Sequence, residues 1–450
     1  MKTMTREAEL LDLATNLIEK ARACGADAAE AMMVESRSLS LAYRNGKQEQ
    51  LDRSEAIDLG LRVFHGHRQA IVSTSDLSPS SLAALVDLAI SMARVVPEDP
   101  YCGLAEPDQL ITHNNGIDIY EDGEPRIDIL LARAAEAEDA ARTVTGITNS
   151  EGAESSWGTT IKTIVTTNGL EKKYSRSWNS LAVSVVAGDG TAMERDYDFS
   201  TSVHADDLRS PSEIGRSAGR RAVRRLNPRK IASGNFPIVF DRRVSRSLLG
   251  HLSSAVNGSA VTRRTTFLKD KLKHKIFPAA ITIVDDPLRK RGLKSRPFDA
   301  EGIAPRLLKI VDKGVLNSWV LDLRSARQLG MPTTGHASRG LTAPPSPSTT
   351  NLYLEPGDRS LEDLLADIKQ GFYATELIGF GVNGITGDYS RGASGFWIED
   401  GQTTYPVSEV TIAGNLPDMF ANVSAANDLE FRYGTDAPSL RVEGMTVAGK

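Results

Sequence analysis

Segments of alternating apolar and polar residues, separated by short turn signals, constrain the fold of this chain most. Residues 28–74 contain several such segments, with Asn45-Gly46 and His65-Gly66-His67 between them. Alternation with a period of two is typical of strands with one buried face, and Asn-Gly favours the tight turn of a hairpin. The first part of the chain is therefore predicted to form an antiparallel sheet.

Stretches with apolar residues at helical spacing flank these strand-like segments. Residues 96–125 are rich in Pro, Asp, Asn and Gly, which predicts a long loop. Further alternating segments follow, with turn signals at Asn168-Gly169 and Gly188-Asp189-Gly190, and they indicate a second layer of strands and helices. Helices are predicted at 6–23, 79–95, 126–143 and 211–226.

The chain from Phe236 onward is dominated by short apolar segments bounded by turns, which predicts a β-rich region shaped as a barrel or a sandwich. The fold class is therefore α+β, with an N-terminal α/β domain (1–120) built on an antiparallel sheet with flanking helices, a middle α+β region (121–232) and a β-rich C-terminal domain (233–450). In the last part, strands are predicted at 237–240, 280–284, 307–311, 317–321, 351–354, 394–399 and 407–412, and helices near 243–256, 360–370 and 416–423.

The composition is that of a globular cytoplasmic protein. Apolar residues make up 40% of the 450 residues and charged residues 25%, enough to bury a core without metals or disulfides. A net charge of −5 argues against a nucleic-acid-binding surface. The first residues lack the apolar core of a signal peptide, and no run approaches the roughly 20 apolar residues of a membrane span. Cys24 and Cys102 are not spaced as a metal or redox pair.

Several short motifs have simple structural interpretations. Residues 379–384 match G-x-G-x-x-G, but no helix is predicted after them to meet a dinucleotide pyrophosphate. His65 and His67 could share a metal, but the glycine between them favours a hairpin tip and no third ligand is near. The basic run at 216–230 favours a solvated helix face over an anion-binding patch. Paired acids such as Asp285-Asp286 are typical of turns and helix caps.

The histidines supply no catalytic or metal-binding motif. None is followed by Glu, which excludes H-E-x-x-H and its close variants, whereas a catalytic zinc needs about three protein ligands and an activating carboxylate. We therefore predict no catalytic residue and no metal ligand in this chain. The seven histidines are His65, His67, His113, His204, His251, His274 and His336.

Residues 330–350 are poor in hydrophobic side chains and dense in Pro, Ser and Thr, which predicts an extended loop. Such a loop either lines a cleft or an interface or is a mobile surface segment. It contains His336. Together with Gly381, Asn383 and Gly384, His336 is a candidate contact for a substrate or a partner.

Long motifs in the C-terminal third resemble the signature of the TldD/PmbA family. The longest, at 379–416, reads GFGVNGITGDYSRGASGFWIEDGQTTYPVSEVTIAGNL. Residues 247–277, the turn Asp299-Ala300-Glu301-Gly302, residues 349–357 and the ending SLRVEGMTVAG also resemble this family. The resemblance covers nearly the whole chain, and the three parts of the family match the three predicted here.

The chain departs from the family pattern at the zinc site. TldD-type members carry H-E-x-x-x-H on a helix and a cysteine ligand near the C-terminus. Here Gly250 and Ala255 correspond to the two histidines and His251 to the glutamate, while residues 430–434 supply no cysteine. This departure is typical of the PmbA (TldE) type. His251 is then expected to be a hydrogen-bonded helix residue rather than a zinc ligand.

The resemblance implies a cytoplasmic protease built from one TldD-type and one PmbA-type subunit, with zinc in the TldD-type partner and no cofactor in this chain. Such assemblies act on unfolded or peptide substrates, including precursor peptides and antitoxins. A homodimer is expected when the chain is alone, because the partner surface would otherwise be exposed apolar area. Two alternatives stay open: an autonomous hydrolase around His251 or His336, and a non-proteolytic binding protein that modulates toxin–antitoxin or gyrase systems.

Overall fold

The computed structural model describes residues 2–113 and 116–450, with side chains from residue 9 onward in the first helix. It confirms the predicted α+β fold. Its α-helices are α1 (Lys2–Ala23), α2 (Pro79–Val95), α3 (Ile127–Arg142), α4 (Pro211–Arg224), α5 (Arg242–Ala255), α6 (Gly258–Thr262), α7 (Leu323–Leu329), α8 (Leu361–Leu365) and α9 (Leu416–Ala421). Among the described residues, none of the helices has both the length and the apolar character needed to cross a membrane.

The strands fall into two large sheets and two smaller ones. The first sheet contains β1 (Ala28–Arg44), β2 (Lys47–His65), β3 (Arg68–Thr74), β4 (Ile147–Thr166), β5 (Glu171–Ala187) and β6 (Glu194–Ser202). The remaining strands are β7 (Gly234–Phe240), β8 (Ile283–Asp285), β9 (Leu308–Asp312), β10 (Val315–Leu316), β11 (Ala337–Ser338), β12 (Ser346–Pro347), β13 (Leu352–Leu354), β14 (Gln370–Val382), β15 (Asp388–Glu399), β16 (Gln402–Asn415), β17 (Val423–Ala425), β18 (Thr435–Asp436) and β19 (Leu440–Ala448).

The first sheet is antiparallel throughout and has the order β3-β2-β1-β4-β5-β6. The predicted turn between β1 and β2 is confirmed, with Asn45 and Gly46 at φ of 50° and 78°, the left-handed conformation of a type I′ hairpin. The tip at His65-Gly66-His67 is confirmed as well, since it joins β2 to β3. The sheet is therefore formed by strands on both sides of the predicted loop at 96–125, of which residues 114–115 lie outside the described ones.

All four helices of this part pack against the same face of the first sheet. The odd-numbered apolar residues of β1 between Ala29 and Leu41 lie in two buried clusters, one with α1 and α2 and one with α3 and α4. Successive side chains of a strand point to opposite faces. Met32 accordingly lies on the other face, where it contacts Phe298 and Ile111 in a separate cluster. That second face carries the C-terminal part of the chain.

Five strands of the C-terminal part form a closed barrel, which confirms a barrel rather than a sandwich. The order is β16-β15-β14-β7-β19, and β19 pairs back onto β16 at Thr411–Ala413. Only β7 and β14 are parallel. The barrel, the adjacent sheet β10-β9-β8-β13-β18 and helix α5 share one large core that includes Phe240, Phe372 and Ile283.

The loop predicted at 330–350 is packed between the two parts of the molecule, so the mobile-surface interpretation is wrong. It contains the short ladder of β11 and β12. Arg339 is buried in it, and its Nη1 lies 2.9 Å from Oε1 of Glu30 in β1. A Cβ on Gly60 of β2 would lie only 2.6 Å from the carbonyl oxygen of Leu341. This close approach requires glycine and fixes the loop against the first sheet.

Two predicted elements of the C-terminal part are wrong. Residues 317–321 do not form the predicted strand. Strand β10 lies just before them, and Val320 makes only an isolated bridge, while residues 319–321 are buried without regular secondary structure. A helix, α7, follows where none was predicted, and it is capped by the carboxylate of Asp322 and ended by Gly330 at φ 62°. The helix predicted at 360–370 has only one turn, α8, before the chain enters β14.

The basic run is less solvated than predicted, because two of its arginines form ion pairs with the edge strand β6. Arg221 lies 3.1 Å from Asp198, and Arg225 lies 3.5 Å from Asp196. Asp198 also binds Arg209 at 2.8 Å and Arg432 at 3.1 Å, with a side chain only 2% exposed. Burial opposes its ionisation, but the arginines outweigh burial and hold the pKa of Asp198 well below its ordinary value of 3.8.

We expect Asp198→Asn to lower the free energy of unfolding at neutral pH by about 3 kcal/mol, because it leaves three arginines without their common buried anion. Because the folded-state pKa is depressed, this contribution is present above pH 3.8 and is lost as the pH falls further. Urea unfolding at pH 7 measures the change. Asp270→Asn is the matched control, since the Asp270–Arg264 pair is about two-thirds exposed and its loss should cost under 1 kcal/mol. Equal effects of the two substitutions would contradict the assignment.

Candidate functional site

Helix α5 carries Gly250, His251 and Ala255, the three positions that the family resemblance assigns to the zinc motif of a TldD-type chain. The helix begins directly after β7, where the side chain of Asp241 accepts a hydrogen bond from the backbone of Arg243 and a second one, at 2.6 Å, from the hydroxyl of Tyr373. Its apolar stripe, from Leu248 to Ala255, is buried in the barrel core. The side chains on the other faces are therefore held in fixed directions.

Gly250 is exposed and opens into a cavity of about 470 Å³, which we call the arginine cavity. A Cβ at this position would meet nothing within 4 Å. The cavity lies between β6 of the first sheet, α5, and strands β14 and β15 of the barrel. It is lined by Arg195, Asp196, Tyr197, Arg225, Arg243, Val244, Arg246, Ser247, Gly250, Thr375, Glu376, Leu377, Arg391 and Thr435.

The C-terminal segment that lacks the cysteine reaches this same cavity. Thr435 lines it, and the guanidinium of Arg246 lies 4.4 Å from the ring centroid of Tyr433. The structure thus brings Gly250 close to residues 430–434, the other place where the family resemblance predicts that a TldD-type chain has a zinc ligand. Gly250 has no side chain, and residues 430–434 include neither cysteine nor histidine.

His251 and Ala255 line a second cavity on the other side of α5, of about 550 Å³, which we call the hairpin cavity because its far wall is the β14–β15 hairpin. Ala255 is only 4% exposed. The three degenerate positions therefore do not open into one space. Phe380, Val382 and Gly384 form the hairpin wall.

His251 does not make the hydrogen bond that we expected. Its Nε2 is buried without a partner, and its ring packs edge-on against Tyr389 at 5.9 Å between centroids. Burial lowers the pKa of His251 below its ordinary value of 6.5, and the nearby charge of Arg391 lowers it further. No carboxylate of the described residues is hydrogen-bonded to its ring, so His251 lacks the arrangement of a general base there.

The barrel leaves one strand edge open between the two cavities. β14 pairs with β7 only at Phe372–Ala374, so among the described residues β15 is the sole strand partner of residues 375–382. Thr375 to Leu377 line the arginine cavity, and Phe380 and Val382 line the hairpin cavity. This open edge is a template for an extended chain.

The glycine-rich segment at 379–384 forms the end of this hairpin, and strand β15 rather than a helix follows it. Gly381 passes so close to Ser390 that a Cβ would lie 2.3 Å from its carbonyl oxygen. The side chain of Asn383 accepts hydrogen bonds from the backbone of Ile385 and Thr386 within the turn. Gly381, Asn383 and Gly384 are all exposed, so contact with a substrate or partner stays a prediction.

His336 is not available as a surface contact, and this candidate is corrected. Its side chain is 0% exposed; Nδ1 lies 2.8 Å from the carbonyl oxygen of Thr334, and Nε2 lies 3.2 Å from Oδ1 of Asp285. Asp285 also accepts hydrogen bonds from the backbone and hydroxyl of Thr350. Asp285 is therefore a buried hydrogen-bond acceptor that fixes the 330–350 loop. The prediction that it is a turn or helix-cap residue is wrong.

Sequence reasoning missed Arg246 and Arg391. The spacing of four residues that places Arg246 beside Gly250 on one helix face was visible in the sequence. The position of Arg391 was not, because it depends on the pairing of β15 with β14. Among the described residues, no three His, Cys, Asp or Glu side chains come together as a metal site.

The chain is similar to known proteins along nearly its whole length. Three domain models of the PmbA/TldA metallopeptidases match the chain: domain 1 at residues 29–93, the central domain at 120–226 and the C-terminal domain at 233–449. The metalloprotease PmbA of Escherichia coli is 36% identical over 94% of this chain and 93% of its own length. The chain belongs to the PmbA/TldD metalloprotease family.

Other relatives of the PmbA/TldD family are similar along their whole length. A PmbA homologue of Haemophilus influenzae is 33% identical over 99% of this chain and 97% of its own. The crystal structure of a protein from Bacteroides thetaiotaomicron, called a modulator of DNA gyrase, has a TM-score of 0.89 at 30% identity, with 98% of both chains covered. TldE of Thermococcus kodakarensis has a TM-score of 0.84 at 21% identity, covering 97% of this chain and all of its own, and shows the shared fold.

We expect Arg391→Gln to raise the pKa of His251 toward 6.5, because it removes the positive charge that disfavours the imidazolium. An NMR titration of the histidine ring protons measures this pKa, and the loss of one signal in His251→Gln assigns it. Arg246→Gln is the control and should leave the pKa of His251 unchanged. An unchanged value in Arg391→Gln would show that the charge of Arg391 does not act on His251.

Proposed function

We propose that this chain is the metal-free PmbA (TldE)-type subunit of a cytoplasmic metalloprotease, and that a TldD-type partner carries the zinc. The assembly cleaves unfolded polypeptides and peptides, such as precursor peptides and antitoxins. In this division of roles, the present chain binds and positions the extended substrate, and the partner supplies the catalytic metal.

One observation carries the proposal: the two helix positions that the resemblance assigns to zinc-binding histidines contain groups that cannot bind zinc. Gly250 has no side chain and Ala255 is a buried methyl group, while residues 430–434 supply no cysteine. The cavity beside Gly250 is lined by five arginines and two acids. A surplus of positive charge repels a divalent cation, so the electrostatics oppose zinc binding in addition to the missing ligands.

The open edge of β14 supports the substrate-binding role. An extended peptide can pair its backbone with residues 375–382 as an added strand, with alternate side chains reaching the cavities on either side of α5. Backbone pairing recognises any extended chain, which suits an enzyme that acts on unfolded substrates.

A test compares zinc content and cleavage. The purified chain, exposed to excess zinc and then dialysed, should retain far less than one zinc per chain in elemental analysis, and should not cleave an unfolded polypeptide such as reduced casein. Adding a TldD-type partner should produce cleavage. A partner with its motif glutamate replaced is the control and should give none. Stoichiometric zinc together with cleavage by this chain alone would overturn the proposal.

A second candidate, a non-proteolytic binding protein, is favoured by the exposed apolar end of the β14–β15 hairpin. Phe380 is 95% exposed, Ile378 57% and Ile385 58%, an arrangement typical of a surface that contacts another protein. The two functions differ in the fate of the bound polypeptide. If a polypeptide bound by this chain stays intact after a TldD-type partner is added, the binding function replaces the proteolytic one.

A further inference from the structure

The arginine cavity contains more positive charge than its own acids neutralise. Five arginines and two acids line it, a surplus of three positive charges. Three of the arginines are already compensated by carboxylates. Arg225 lies 2.6 Å from Glu376, Arg243 lies 3.0 Å from Asp196, and Arg195 lies 3.3 Å from Glu151, just outside the lining.

Arg246 and Arg391 are the two arginines of the cavity that are not compensated in this way. Neither forms an ion pair with a carboxylate of the described residues. The Nε of Arg391 is buried without a hydrogen-bond partner, and its guanidinium lies 5.7 Å from the ring centroid of Phe380. Arg246 lies against Tyr433, and only its Nε has a partner, the carbonyl oxygen of Arg243 at 3.3 Å. An arginine stacked on an aromatic ring keeps the N–H groups at its edge free for an anion.

We propose that Arg246 and Arg391 bind a carboxylate of an extended peptide, either the side chain of an acidic residue or the C-terminal carboxylate. The arginine cavity is thus an acid-recognition site beside the open edge of β14. This inference rests on the peptide-binding part of the proposed function and adds a sequence preference to it.

The charge and the position of the cavity both favour this ligand. Arginine side chains bind a carboxylate through paired, charge-assisted hydrogen bonds, which are stronger than those between neutral groups. Thr375 to Leu377, at the start of the open edge, form one wall of the cavity. A peptide paired with this edge therefore brings its alternate side chains, or its end, directly to the two arginines.

Binding of three synthetic peptides tests the proposal. Each is a fluorescein-labelled heptapeptide of alternating threonine and valine. The neutral probe has a central glutamine and an amidated end, the second has a central glutamate and an amidated end, and the third has a central glutamine and a free C-terminal carboxylate. By fluorescence anisotropy at low salt, at least one acidic probe should bind about tenfold more tightly than the neutral one. A preference for the glutamate probe shows that the site binds an acidic side chain, and a preference for the probe with the free end shows that it binds a C-terminal carboxylate.

Substitutions assign the preference to the two arginines. Arg246→Gln and Arg391→Gln should each reduce the ratio of acidic to neutral affinity to about one, with circular dichroism confirming that both variants are folded. Arg195→Gln is the matched control: it lines the same cavity but is already paired with Glu151, so the preference should persist.

The outcomes separate this inference from the proposed function. Equal binding of all three probes, or a preference that persists in both Arg246→Gln and Arg391→Gln, overturns acid recognition and leaves the peptide groove intact. If no probe binds, both the groove and the acid-recognition site are overturned.

Discussion

Three residue pairs between β16 and β19 close the C-terminal barrel, and the placement of α5 depends on that closure. Strand β7 leads directly into α5 and is held between β14 and β19. Asp241 at the end of β7 ties the helix start to Tyr373 of β14. Burial of each leucine of α5 in the core contributes about 2 kcal/mol. A helix fixed in this way presents Gly250 to one cavity and His251 to the other.

The charge of the arginine cavity determines which ligands can bind beside Gly250 on α5. Gly250 faces a cavity with surplus positive charge, and burial together with the charge of Arg391 lowers the pKa of the neighbouring His251. A histidine introduced at Gly250 alone would therefore lie among arginines, where a divalent cation is unfavourable. The same positive charges favour an anionic ligand.

Local sequence patterns were sufficient for elements with strong end signals and insufficient for contacts between distant segments. Helix α2 agrees with its prediction at both ends because Pro79 begins it and the apolar spacing continues to its end. Helix α7 has clear end signals in the sequence, Asp322 at its start and Gly330 at its end. The apolar residues before it were nevertheless predicted to be a strand, because a short apolar run is compatible with either a strand or another buried conformation. The burial of His336 could not be predicted, because its partner Asp285 comes from another strand. The degenerate zinc positions came from family resemblance, whereas the two cavities beside them required the tertiary structure.

The shared first sheet determines how the chain can be divided. Strand β1 pairs with β2 on one side along nearly all of its length and with β4 on the other from Glu30 to Tyr43, so strands from both sides of the predicted boundary at residue 120 belong to one hydrogen-bonded unit. Cutting the chain at this boundary would expose the backbone of β1 and β4 as long unpaired edges, which promote aggregation.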